Sequence, residues 1–155
     1  MSSGERNLIT ASNAIPKIDD TNSTMELPEH WMVVEFSELV ENHDRSRIPL
    51  KQEDRDKRDG KFPYYGASGI IDSIDDFLFD GSFLLIAEDG ANLIARNSPI
   101  AFQAHGKFWV NNHAHVVVAL DGISQEYLEF YFNSLNLKQY ITGSCLLYTS
   151  PSPRD

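Results

Sequence analysis

The chain has 155 residues, 41% hydrophobic and 23% charged, and its 23 acidic against 13 basic side chains give a formal net charge of −10. That balance suits one globular domain with its own core and excludes a wholly disordered chain. No apolar run nears the ~20 residues of a membrane span, the N-terminus lacks a secretory apolar core, so a cytoplasmic protein is expected, and one cysteine excludes an internal disulfide framework or cysteine-based zinc site.

Residues 1–26 are polar and rich in Ser, Asn and Asp, as in a flexible leader. Order is expected from Leu27-Pro28, with Pro28 setting an extended entry. Trp31 to Val40 is ambiguous: Met32, Val34 and Phe36 alternate like a strand, while Ser37 to Val40 could open a helical turn. Arg45 to Lys61 holds seven basic and four acidic residues, a net +3 that leaves −13 for the rest of the chain. Such a segment can steer DNA to one face, or it can be a solvated, charge-mixed loop. After Leu50 it has almost no apolar side chain, so it is expected outside the core.

Phe62 to His115 reads as short strands punctuated by Gly, Asp and Asn, with tight turns expected at Asp80-Gly81 and Asp89-Gly90. Phe83–Ala87, Ile100–Phe102 and Phe108–Val110 are the strand candidates, and Ile70, Ile71 and Ile74 are expected to return to the core. Ala114–Leu120 is a β-branched run ending at Asp121-Gly122. The period then changes: Ser124 suits an N-cap, Glu126 the first turn, and Tyr127, Leu128, Tyr131, Phe132 and Leu135 form a helical stripe. Leu137–Ile141 could form a second short helix. The fold class predicted is α+β, a mainly antiparallel, twisted β-sheet with helices towards the C-terminal end.

Recognisable catalytic chemistry is lacking. Ser68 is not in a nucleophile elbow, because position 70 is Ile rather than Gly. His113 and His115 could share a strand face with His105 as metal ligands, but no cysteine or well-spaced carboxylate completes a set, and structural roles compete. Asp75-Asp76 and Glu88-Asp89 are better explained as loop and turn than as magnesium ligands, and no phosphate-binding glycine motif is present.

Five fragments carry a resemblance: Leu27-Pro28-x-x-Trp31, Tyr64-Tyr65-Gly66-Ala67-Ser68-Gly69-Ile70-Ile71, Phe79-Asp80-Gly81, Ile86-Ala87-Glu88-Asp89-Gly90-Ala91, and Phe108 to His115 (FWVNNHAH). In this order and spacing they resemble the target recognition domain of type I restriction-modification specificity subunits, over about residues 27–144. The resemblance implies a non-catalytic domain without cofactor or metal that reads one half of a bipartite target in double-stranded DNA. Its expected partners are that DNA, the methyltransferase (modification) subunits and the restriction/translocase subunit. Such subunits carry two recognition domains separated by long helices; on this resemblance the domain is expected to be incomplete at its C-terminal end, and the Met1 leader running into Leu27-Pro28 suggests the first of the two.

The chemistry of DNA recognition then nominates residues. Lys57, Arg58 and Lys61 can meet phosphates; Gln103, Asn111 and Asn112 can pair with adenine, and Arg96 with guanine. Asn111-Asn112 could instead be a plain hairpin turn. Tyr64 and Tyr65 belong either to the core or to the DNA face, and Ser68 and Gly69 lie where the backbone can approach a partner closely. Two other classes compete: a histidine-dependent hydrolase or metal-binding enzyme domain built on His113 and His115, and a protein-interaction module using the acidic body.

Residues 145–155, CLLYTSPSPRD, fit nothing before them and match the conceptual translation of a transposase-type sequencing adapter. Ser144 is therefore expected to be the last genuine residue, and the tail to be exposed, disordered and without a partner in the fold.

Overall fold

A computed structural model describes residues 27–142 and 146–147. The expected leader lies outside the described residues, as does the tail apart from Leu146–Leu147. Six strands form one sheet in the order β1-β6-β4-β5-β2-β3: β1 (Val40–Asn42), β2 (Asp59–Gly66), β3 (Gly69–Ile74), β4 (Phe79–Ala87), β5 (Ala101–Val110) and β6 (Ala114–Ala119). All pairings in it are antiparallel except β2 with β5. Helices α1 (Gln52–Arg55) and α2 (Asn92–Ala95) are single turns, whereas α3 (Gln125–Ser134) is a full helix near the C-terminal end. This is the α+β class that the sequence predicts.

The sheet has to curl. β5 and β6 both pair antiparallel with β4, so they run parallel to each other. Phe108 of β5 faces Phe79 at the start of β4, yet Ala114 of β6 faces Ala87 at its end. An extended strand of that length covers about 27 Å, whereas the connector 111–113 reaches at most about 14 Å from Val110 to Ala114. A partial barrel brings the two ends together. Its concave side is filled by Phe79, Leu85, Ala104, Phe108, Val110, Ala114 and Val116. On the opposite face Leu84, Ile86, Ala101 and Val117 pack against Leu128 of α3. Both faces of β4 are therefore buried, which is why its second half reads as an unbroken apolar run.

α3 forms as its pattern demands: Ser124 Oγ accepts the Tyr127 amide at 3.0 Å, and Leu128 is buried. Asn133 docks its last turn, taking the Ile100 and Ala101 amides on Oδ1 and donating to the Ala101 carbonyl.

Local expectations fail where tertiary pairing overrides them. Asp80-Gly81 is not a turn but part of the β4–β5 ladder, opposite Lys107 and Gly106. Gly81 and Gly106 face each other at φ +151° and +80°, angles that need glycine and let the ladder bend without breaking. The same ladder joins Ile100–Phe102 and Phe108–Val110 into essentially one strand. Ile70 and Ile71 stay exposed because β3 is an edge strand, and only Ile74 is buried. Pro28 begins a turn closed by the Trp31 amide on its carbonyl, not an extended entry. Phe36–Glu38 is a 3-10 turn and Lys138–Tyr140 another. Leu146–Leu147 pair with Ile141–Thr142, so two residues of the tail do have a partner, contrary to expectation.

Candidate nucleic-acid interface

The curl gathers three loops at one mouth of the partial barrel. The Asn111 amide bonds the Tyr65 carbonyl, and the Glu88 amide bonds the His113 carbonyl. A Cβ on Gly66 would lie 3.5 Å from Asn111 Nδ2, and Ala67 packs on the Ala87, Leu93 and Ile100 cluster. The turn after β2, the exit of β4 and the β5–β6 connector thus share one rim, with Ser68 and Asn112 exposed on it.

A charged lattice holds that rim in place. Arg47 donates to Glu88 Oε2 at 3.1 Å, to the Ala114 carbonyl at 2.8 Å and to the Asn112 carbonyl at 3.4 Å. Asp44 takes the Val116 amide at 2.8 Å on one oxygen and lies 2.6 Å from His115 Nδ1 with the other. Asp89 lies 2.7 Å from His113 Nδ1. Burial opposes ionisation of Asp44, but hydrogen bonds from His115 and the Val116 amide, with the charges of His115 and Arg47, hold its pKa below 3.8.

A pH dependence follows. Because the folded pKa is below the unfolded one, this stabilisation is complete above about pH 4 and is lost as pH falls through the folded value. Urea unfolding at stepped pH below about 4 should show a steeper loss of stability for the wild type than for Asp44→Asn. Equal slopes would assign the acid sensitivity to other carboxylates.

The basic segment is a strap rather than a loose loop. Trp109 Nε1 donates to the Ile48 carbonyl at 2.7 Å, and Tyr64 Oη accepts the Leu50 amide at 3.1 Å. Arg55 bonds Asp72 at 3.0 Å, lowering that carboxyl's pKa, and Arg58 bonds Asp75 at 2.8 Å and lies 3.6 Å from Asp76. Arg47, Arg55 and Arg58 are therefore matched to acids elsewhere, while Arg45, Lys51, Lys57 and Lys61 form no ion pair among the described residues.

The type I restriction modification DNA specificity domain model matches residues 28–150. The chain belongs to this family. A Haemophilus influenzae protein named for a type I restriction enzyme specificity subunit is 37% identical over 109 residues, which is 70% of this chain and 26% of that protein. The chain thus matches about a quarter of its relative's length.

Within this specificity domain, the residues nominated from sequence fall into two groups. Lys57, Lys61 and Ser68 are exposed, as is Asn112, while Gly69 turns at φ +124° beside Ser68. The others have internal partners. Tyr64 is fully buried, and Tyr65 packs on Phe102 and Phe108. Asn111 caps its own connector through the His113 amide. Gln103 lies beneath α3, bonding Glu129 at 2.9 Å. Arg96, at φ +54°, donates to the Leu93 and Leu135 carbonyls beside the end of α3. His113 and His115 are each oriented by a different aspartate, and no cluster of three metal-ligating side chains occurs among the described residues. Sequence reasoning missed Asp44 and Arg47, which hold the rim, and Asn133, which docks α3 on β5; their only signal was a charge in a polar stretch or a lone amide on an apolar helix.

Proposed function

We propose that this chain is a DNA target recognition domain that reads one half of a split duplex target and does no chemistry itself. Methyltransferase and restriction/translocase subunits would act on the DNA it positions. The observation that carries this is the family match across residues 28–150. The rim supports it: rigidly held loops present a hydroxyl at Ser68 and an amide at Asn112, groups that can bond base edges, while Lys57 and Lys61 remain for phosphates. Selection from a randomised duplex library should enrich one short asymmetric sequence, with affinity falling steeply as salt rises. Asn112→Ala should cost ~1–3 kcal/mol at one base position and leave binding to unrelated duplexes unchanged. Pure protein should neither cut nor methylate DNA. Failure to enrich any sequence, or turnover dependent on magnesium or S-adenosylmethionine, would overturn the proposal.

A further inference from the structure

The four cation–π contacts among the described residues involve two ring pairs, Tyr64 with Trp109 and Phe62 with Phe77. Arg55 lies over Tyr64 and Arg58 over Trp109, each 4.9 Å from the ring centroid. Lys61 lies 5.4 Å from the Phe62 centroid and Lys107 4.9 Å from that of Phe77. Tyr64 and Trp109 are cross-strand partners, and the Phe62 and Phe77 rings are 5.2 Å apart. Lys107 and Trp109 are two residues apart on β5, hence on one face and about 7 Å from each other.

The four cations differ in what neutralises them. Arg55 and Arg58 also hold Asp72, Asp75 and Asp76, so their charge is answered locally. Lys61 and Lys107 are exposed and form no ion pair among the described residues. An aromatic face orients an ammonium through its quadrupole but has no net charge to cancel it. Asp80 faces Lys107 across the β4–β5 ladder, yet the two form no ion pair.

We propose that Lys61 and Lys107, held on the Phe62–Phe77 platform, form a phosphate-contacting track beside the β2–β5 pairing, with the duplex backbone as its ligand. The inference rests on the DNA-recognition proposal and adds to it a contact, Lys107, from a strand far in sequence from the basic strap. Arg58, although central to that strap, serves to anchor it.

The test is duplex binding by the full chain, followed by fluorescence anisotropy on a mixed-sequence duplex over a salt series. Lys61→Gln and Lys107→Gln should each reduce the slope of log affinity against log salt by about 0.9, with melting temperatures unchanged. Lys138→Gln, exposed in the 3-10 turn that follows α3, should leave the slope as it is. Slopes equal to wild type for Lys61→Gln and Lys107→Gln, or an equal fall for Lys138→Gln, would overturn the track while leaving DNA recognition intact. Wild-type protein with no salt-dependent binding would overturn both.

Discussion

Phe108→Ala is expected to destabilise the domain by about 3–5 kcal/mol, the range for deleting a fully buried aromatic side chain. Phe108 has no exposed surface, and its ring centroid lies 5.4 Å from Phe79, 5.5 Å from Tyr65 and 5.6 Å from Phe83. These partners come from β2 and β4, so the ring fills the hollow around which the sheet curls. Three aromatic partners lose their ring contact at once, which places the expected cost well above that of a surface change. Phe130→Ala, on the exposed side of α3, should stay within about 0.5 kcal/mol. Urea unfolding of both variants measures the contrast; a loss at position 108 no larger than at 130 would mean that the concave core does not set stability.

The second large effect is at Arg47. Its side chain is 14% exposed and that of Glu88 10%, so the pair lies largely out of water. Arg47→Ala removes the donor to Glu88, to the Asn112 carbonyl of the β5–β6 connector and to the Ala114 carbonyl at the start of β6 at once. Breaking one side of such a pair typically costs ~3–5 kcal/mol; residual solvent access points to about 3 kcal/mol here. Lysine should restore little, because it lacks the planar fork that serves several acceptors together. A double-mutant cycle with Glu88→Gln should give a coupling of at least ~0.5 kcal/mol. Strict additivity would show that Arg47 acts through the carbonyls and Asp44 rather than through Glu88. In either case the connector carrying Asn112 loses its support, and sequence discrimination should weaken more than general DNA affinity.

What was legible from residues alone was whatever depends on local periodicity. The stripe from Tyr127 to Phe132 behind Ser124 defines α3 because helical spacing and an N-cap are local properties. The alternation and β-branching of Ala114–Ala119 define a strand for the same reason. Family membership was legible too, since it rests on the order of short fragments rather than on their contacts. Only the tertiary structure decided that Asp80-Gly81 is strand rather than turn, because a ladder partner twenty-five residues away supplies Gly106 to match it. It alone separated cations bound to carboxylates from cations resting on rings. Asp72, Asp75 and Asp76 answer Arg55 and Arg58 across a hairpin, and a charge count along the chain weighs Arg58 and Lys61 alike. Electrostatic strength depends on distance and local dielectric, and both are set by how β2, β3 and β5 fold together, not by position in the chain.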